Sequence, residues 1–114
     1  MIDFIEDSRN EFKEILNDKL EKEIISFLNA NGGNLYIGIS DNGNVVGINE
    51  NIDDMQLQIK DRIKNNILPA TVGLYDIEVK EHDDKKYLHI IIASGNEKPY
   101  YVRKKGMTPE GCFI

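Results

Sequence analysis

A short segment near the end of the chain, residues 98–105, combines positive charge with aromatic rings. Its candidate binding residues are Lys98, Tyr100, Tyr101, Arg103, Lys104 and Lys105. Lysine and arginine neutralise phosphate groups and a tyrosine ring can stack on an unpaired base, so this pattern predicts a nucleic-acid-binding edge. A structural interpretation fits the same residues: Tyr100 and Val102 belong to the core, and the two lysines protect a solvated edge strand from pairing.

Charge is unevenly distributed along the chain. The 114 residues carry a formal net charge of -6, which argues against a general nucleic-acid coat because phosphate binding depends on Lys and Arg. Residues 1–84 contain 8 basic and 18 acidic side chains, whereas residues 85–114 contain 6 basic and 2 acidic ones. The sequence therefore predicts an acidic body with a basic C-terminal edge, and ordinary variation along a solvated surface is the alternative.

The elements that position this edge begin with an amphipathic helix from about residue 18. Its apolar stripe follows helical spacing and consists of Leu20, Ile24, Phe27 and Leu28. Asp18 and Glu21 have the spacing of a capping box at its start. Gly32 and Gly33 end the helix, because glycine adopts the left-handed cap conformation without a Cβ clash.

A buried hairpin is predicted after this glycine corner. The first strand contains Leu35, Tyr36, Ile37 and Ile39. Residues 41–43 read Asp-Asn-Gly, which suits a tight turn. The predicted partner strand contains Val45, Val46 and Ile48.

The second half of the chain predicts one more helix and three strands. The helix starts at Asp53 or Asp54, ends near Pro69, and has an apolar stripe of Ile52, Met55, Ile59, Ile63 and Ile67. Alternation over residues 72–80 predicts a half-exposed strand, residues 87–93 a more buried one, and residues 100–103 a final edge strand. The fold class is therefore α+β, with two amphipathic helices on a mixed, mainly antiparallel sheet.

The length of the chain suits one domain spanning residues 1–114. No apolar run is long enough to cross a bilayer, and the first residues lack the pattern of a signal peptide. The lone Cys112 cannot form an internal disulfide, which agrees with a reducing compartment. We expect a cytoplasmic protein without a membrane partner.

Three motifs together resemble a known family. They are EDSRNEFK from Glu6, the run AN-GG-LYIGI-D-G-VVGI, and KPYYVRKKG from Lys98. In this order they resemble the Schlafen/Alba-like DNA-binding domain of bacterial transcriptional regulators, which is related to the Schlafen core. The resemblance implies a nucleic-acid partner, DNA or RNA, with Lys13 of the EFK motif joining the basic residues.

The resemblance carries further expectations. The module occurs doubled in Schlafen cores, which implies a homodimer for a single copy. Similar proteins are often described as ATP-binding. Family members usually continue beyond the last motif, and residues 112–114 read as the start of a strand after a loop, so we expect the sequence to be part of a longer protein.

A carboxylate set is the enzymatic hypothesis. In nuclease-competent Schlafen cores, two glutamates five residues apart and an aspartate after the glycine-rich strand form a triad, and Glu6, Glu11 and Asp41 match those positions. Carboxylates are the ligands that Mg²⁺ or Mn²⁺ prefers, and such an ion activates water for phosphodiester hydrolysis. The alternative is that Glu6 and Glu11 are surface acids and Asp41 forms a turn.

Other candidate sites are weaker. Gly32, Gly33 and Gly38 invite a nucleotide-binding interpretation, but they precede a strand instead of opening a helix, so a helix cap and tight packing explain them better. His82, on a turn, and His89, on an exposed strand face, lack metal-ligand spacing with Cys112.

Three functions stay open. The first is noncatalytic nucleic-acid binding, which requires no cofactor. The second is a metal-dependent endoribonuclease, and the third is a protein-interaction or dimerisation domain.

Overall fold

The structure, a computed structural model, describes Asp7 and residues 9–113. Its elements in chain order are β1 (Asn10–Lys13), α1 (Leu20–Asn29), β2 (Gly33–Ile37), α2 (Ile52–Asn66), β3 (Ile67–Leu68), β4 (Tyr75–His82), β5 (Lys85–Ile92), β6 (Tyr101–Val102) and α3 (Pro109–Cys112). No helix within the described residues is long and apolar enough to cross a membrane.

Four strands form the main sheet in the order β1, β2, β5, β4. β1 runs parallel to β2, and the other two neighbouring pairs are antiparallel. β3 and β6 form a separate two-stranded antiparallel sheet. The predicted α+β class with a mixed, mainly antiparallel sheet is confirmed, and the short helix α3 adds to the two predicted helices.

The main core lies between one face of the sheet and the helices α1 and α2. Side chains alternate across a strand, so Leu35 and Ile37 of β2 point into this core together with Leu88, Ile90 and Ile92 of β5. The helices contribute the apolar stripes that the sequence predicts, including Ile24, Leu28, Ile59 and Ile63. This packing fixes α1 and α2 beside the small β3–β6 sheet.

The opposite face of the sheet holds a second, smaller cluster. Phe12, Ile39 and Tyr87 are buried there, and the partly buried Tyr36 and Val45 pack against them. The sheet therefore has apolar contacts on both faces.

His89 lies on this second face and is only 8% exposed, so its predicted exposed position is wrong. Its Nε2 lies 2.8 Å from Asn34 Oδ1 and its Nδ1 lies 2.8 Å from Lys80 Nζ. The ring of Tyr36 stacks on the imidazole with 4.4 Å between centroids. Polar partners on neighbouring strands make burial of this histidine possible, and a pattern along one strand does not reveal them.

The predicted hairpin after β2 is reduced to a turn. Ile39 and Val45 form an isolated bridge, and the amides of Val46 and Gly47 donate to the Gly38 carbonyl at 2.8 and 3.0 Å. β1 and β5 occupy the two edges of β2, so no edge is left for a partner strand at residues 45–48. The sequence pattern missed this because those neighbours are distant along the chain.

The predicted capping box at the start of α1 is also wrong. The helix begins at Leu20 with Lys19 at the cap position and no capping side chain, and the Lys19 amide donates to Asn17 Oδ1 at 2.9 Å. Glu21 instead contacts Arg62 on α2. A tertiary ion pair has replaced the local cap.

The helix α3 occupies the end of the loop predicted before residue 112 and includes Cys112, which was predicted to begin a strand; Ile114 lies outside the described residues. Thr108 caps α3 by accepting a hydrogen bond from the Gly111 amide at 3.0 Å, and Pro109 occupies the first turn. Pro at the first helical position is favoured because its missing N–H has no helical partner to lose.

Close packing explains why positions 32 and 33, between α1 and β2, are glycines. Gly32 has φ of +77°, and a Cβ there would lie 2.5 Å from the Ile92 carbonyl oxygen. A Cβ on Gly33 would collide with the Phe27 ring. A helix end and a close strand approach explain both residues without a bound phosphate.

Candidate nucleic-acid interface

Three of the predicted binding residues follow β6 directly. β6 pairs with β3, and the Arg103 amide continues this ladder by donating to the Asn66 carbonyl at 2.8 Å. The amides of Lys105 and Gly106 then both donate to the Val102 carbonyl at 3.1 Å, which closes a turn. Arg103, Lys104 and Lys105 are thereby held on a short, hydrogen-bonded turn at the surface.

This turn forms one wall of a groove of about 630 Å³, which we call the basic groove. The start of α1 and the end of α2 form the other walls. Its lining residues are Asp18, Lys19, Glu21, Lys22, Arg62, Asn66, Val102, Arg103, Lys104, Lys105 and Phe113. Six of these residues are basic and two are acidic, although the whole chain carries a net charge of -6.

The floor of the basic groove is a partly buried ion pair between Arg62 and Glu21. Arg62 Nε donates to Glu21 Oε2 at 2.9 Å, and Asn66 Nδ2 donates to the same oxygen at 2.8 Å. Burial raises the pKa of Glu21, but the hydrogen bonds from Arg62 and Asn66 outweigh it and the pKa lies below its ordinary value. Glu21 therefore stays ionised and neutralises Arg62, which joins α1 to α2 beneath the groove.

The other five cations of the groove differ from Arg62. Within residues 9–113, Lys19, Lys22, Arg103, Lys104 and Lys105 form no salt bridge, and all five are exposed. Within the described residues, the side chains of Arg103 and Lys105 make only weak contacts. Arg103 Nη1 lies 3.5 Å from the Asn65 carbonyl oxygen, and Lys105 Nζ lies 5.8 Å from the centre of the Phe113 ring. These cations are available to an anionic ligand.

Sequence reasoning missed Lys19, Lys22 and Arg62 as members of this site. Lys19, at the cap position of α1, and Lys22, in its first turn, lie three residues apart, a spacing that places two side chains on one face of a helix and is visible in the sequence. Their adjacency to residues 103–105 depends on how α1 packs beside β6, which the sequence does not display.

Tyr100 does not present its ring to the basic groove. It is fully buried, its hydroxyl accepts hydrogen bonds from the amides of Asn96 and Glu97 at 3.2 and 3.1 Å, and its own amide donates to Asn29 Oδ1 at 2.6 Å. In this structure Tyr100 is a core residue that anchors the loop before β6. Tyr101 is half-buried on β6.

Lys98 and Lys13 lie away from the other predicted cations. Lys98 Nζ donates to the Ala30 carbonyl at 2.9 Å, at the C-terminal end of α1, whereas the groove lies at the opposite end of that helix. Lys13 Nζ lies 3.4 Å from Glu11 and 3.1 Å from Glu23. Burial lowers the pKa of Lys13, but the two carboxylates outweigh it and the pKa is raised. The structure therefore gathers Arg103, Lys104 and Lys105 but not Lys98 or Lys13.

The predicted carboxylate set is only partly described. Glu6 lies outside the described residues. Glu11 is paired with Lys13, and Asp41 is exposed on the turn after β2. Among the described residues, no three His, Cys, Asp or Glu side chains are grouped closely enough to hold a metal ion. Glu11 and Asp41 have the oxygen ligands that Mg²⁺ or Mn²⁺ needs, but an ion at Glu11 would have to displace Lys13.

The fold and the motifs together define the class of protein. A profile of the family described as Schlafen, AlbA_2 matches residues 6–114. The chain therefore belongs to the Schlafen, AlbA_2 family, as the sequence motifs predicted. A search of curated proteins finds no significant match.

Two solved structures share the fold. The N-terminal domain of a RecG-related protein from Nitrosomonas europaea is 21% identical, with a TM-score of 0.71 over 90% of this chain and 74% of that one. The protein DIP2311 from Corynebacterium diphtheriae is 24% identical, with a TM-score of 0.62 over 85% of this chain. This chain spans only 20% of that second protein.

Proposed function

We propose that this domain binds nucleic acid by its phosphate backbone at the basic groove. The observation that carries the proposal is the set of five exposed cations without an ion-pair partner among the described residues, gathered around one groove on an acidic protein. Because the rest of the surface is mostly acidic, phosphates are attracted to this groove and repelled elsewhere.

The residues of the groove suit backbone contacts better than base recognition. Four of the five cations are lysines, whose ammonium groups supply charge without a fixed geometry of donors, and such contacts position a strand without reading its sequence. Val102 and Phe113 add apolar surface that a sugar or a base can cover. Binding of this kind requires no cofactor.

The family adds detail to the proposal. The Schlafen/Alba-like resemblance favours DNA as the ligand and a cytoplasmic bacterial transcriptional regulator as the context. The Nitrosomonas europaea neighbour is named as related to RecG, an ATP-dependent DNA helicase, which agrees with DNA as the ligand. DNA, the regulatory role and an ATP site remain predictions for this chain.

A binding assay with labelled oligonucleotides tests the proposal. Fluorescence anisotropy is measured with single-stranded DNA, duplex DNA and RNA of one length, without added metal. Five phosphate contacts predict an affinity loss of roughly 10²-fold or more between about 50 and about 200 mM salt. No binding to any of the three at low salt would overturn the proposal.

A charge-matched pair of variants locates the site. The triple variant R103Q/K104Q/K105Q removes the three positive charges on one wall of the groove. We expect the binding affinity to fall about 10-fold or more, and the slope of log affinity against log salt concentration to fall by about three. The control K60Q/K64Q/K86Q removes the same charge from exposed positions outside the groove. Equal weakening in both variants would show that net charge, and not the groove, drives binding.

The nuclease hypothesis is tested in the same tubes by adding Mn²⁺ or Mg²⁺. It rests on Glu6, Glu11 and Asp41, and metal-dependent cleavage of RNA that is lost in Asp41→Ala would support it. Binding without cleavage leaves the noncatalytic proposal as the better account.

A further inference from the structure

β4 is an eight-residue strand at the edge of the main sheet, and none of the described strands covers its outer side. In the described structure it pairs with β5 over its whole length and with no other strand. Long edge strands are templates for pairing with another chain, because their outward amides and carbonyls lack partners.

The register shows which backbone groups face outward. β4 and β5 are joined by a two-residue turn, Asp83 and Asp84, both with positive φ. In such a hairpin the flanking residues His82 and Lys85 form the first hydrogen-bonded pair, and every second residue follows. The outward amides are then those of residues 75, 77, 79 and 81. In agreement, the Ile77 amide donates to Asp76 Oδ1 at 2.9 Å and not to β5.

The charges of β4 are complementary to themselves in one antiparallel register. With a two-fold axis at Val79, Glu78 lies opposite Lys80 of the second copy, which is the opposite-charge pair of this register. Asp76 lies opposite His82 of the second copy, whose imidazole can donate a hydrogen bond to the carboxylate. All four side chains lie on one face of the strand because they alternate with residues 77, 79 and 81. Each opposite-charge pair across two strands is stabilising.

Neighbouring registers are disfavoured by the same charges. An axis at Glu78 places that residue against its own copy, between two pairs of Asp76 with Lys80. An axis at Lys80 places the lysine against its own copy. An axis at Ile77 places Asp76 opposite Glu78 of the second copy, and an axis at Glu81 places two glutamates together. Like charges directly opposite are destabilising, and of these five registers only the one at Val79 places no like charges opposite each other.

The side chain at that axis is apolar and exposed. Val79 is 43% exposed, although it lies in the middle of a strand. In the complementary register it meets Val79 of the second copy, and both are removed from water. Pairing also replaces the Asp76–Ile77 hydrogen bond with a backbone bond from Ile77 to Glu81 of the second copy.

We propose that two copies of this chain associate through antiparallel pairing of their β4 strands about a two-fold axis at Val79. The family resemblance implied a homodimer but did not indicate which surface forms it. The β4 edge indicates both the surface and the register of the pairing. The proposal is independent of nucleic-acid binding, because no residue of β4 lines the basic groove.

Charge exchange tests the register directly. Sedimentation equilibrium is measured for the full chain without nucleic acid, from about 1 µM to about 1 mM, because the contact is small and the dimer is expected to be weak. We expect E78K and K80E each to be monomeric, since each places like charges opposite. E78K/K80E restores opposite pairs and should dimerise again. An equimolar mixture of the two single variants should form a heterodimer.

The controls E50K and K86E carry the same charge changes outside β4 and should dimerise like the parent. Circular dichroism checks that every variant is folded. In the parent, the Val79 amide should exchange with deuterium at least 10-fold more slowly at high protein concentration than at low concentration. A monomeric parent, or single variants that dimerise as well as the parent, would overturn the proposal.

Discussion

The basic groove and the ion pairs of Lys13 with Glu11 and Glu23 both involve charged residues of α1, yet their cations differ in availability. Lys13 is neutralised by carboxylates, whereas five cations of the groove form no salt bridge among the described residues. Glu21, Lys22 and Glu23 are consecutive on α1. Glu21 pairs with Arg62 on the floor of the groove, Lys22 lines the groove with no salt bridge among the described residues, and Glu23 pairs with Lys13 on β1. Successive helical residues point about 100° apart, so neighbours in sequence meet different elements. A cation near the groove is available only where no packed element supplies a carboxylate.

The largest expected effect comes from breaking the floor of the groove. Glu21→Gln removes the charge that holds Arg62 and leaves a partly buried guanidinium without a counter-ion. We expect the free energy of unfolding to fall by about 2 to 3 kcal/mol, as measured by urea denaturation. Asp18→Asn changes an exposed acid of the same groove and should alter stability by less than about 0.5 kcal/mol. Equal stability of the two variants would contradict a structural role for the ion pair.

A second pair of variants compares available and neutralised cations directly. K19Q/K22Q should weaken binding several-fold and reduce the salt slope by about two, because both lysines face the groove. Lys13→Gln should leave affinity for the same oligonucleotide within about twofold, because Glu11 and Glu23 already neutralise Lys13. Anisotropy titrations at two salt concentrations measure both. A larger loss in the Lys13 variant would move the site from the basic groove to β1.

The smallest expected effect concerns Lys80, whose ammonium nitrogen lies 2.8 Å from Nδ1 of His89 and 3.7 Å from Glu78 Oε2. Because the Lys80 ammonium can only donate, His89 accepts at Nδ1 and donates from Nε2 to Asn34. Burial and the nearby Lys80 charge lower the pKa of His89 below its ordinary value of 6.5, and Glu78 opposes this weakly. The unfolded chain therefore binds the proton more readily than the folded one.

Because the pKa of His89 is lower in the folded state, its contribution to the free energy of unfolding is fully present above about pH 6.5. That contribution is lost as the pH falls toward the lower pKa of the folded state. The loss is about 1.4 kcal/mol for each unit of pKa difference. Urea denaturation between pH 5 and pH 8 measures it, and in His89→Gln this part of the pH dependence should disappear. An unchanged profile in that variant would assign the effect to other groups.

Local signals predicted most of the elements. The spacing of Ile52, Met55, Ile59 and Ile63 placed α2 within a few residues, and the alternation before His82 placed β4, although it begins at Tyr75 and not at Val72. The predicted strand partner at residues 45–48 was wrong because β1 and β5 already flank β2. Propensity and spacing describe a segment, but they do not show which segments compete for one edge.

The candidate site was predicted in part for the same reason. The run Arg103, Lys104 and Lys105 was visible because its charges are contiguous. Tyr100 was offered both as a stacking residue and as a core residue, and only its burial distinguishes the two. Lys19 and Lys22 were missed because more than 80 residues separate them from the other wall of the groove.

The sequence by itself determined the family, the fold class and the concentration of positive charge late in an acidic chain. These follow from short motifs, from apolar spacing and from composition, which are all local or additive properties. The tertiary structure alone decided which cations are neutralised, which ring is buried and which strand edge stays open. Those outcomes depend on contacts between distant segments, and a charge or an amide is satisfied by whichever group packing brings within about 3 to 4 Å.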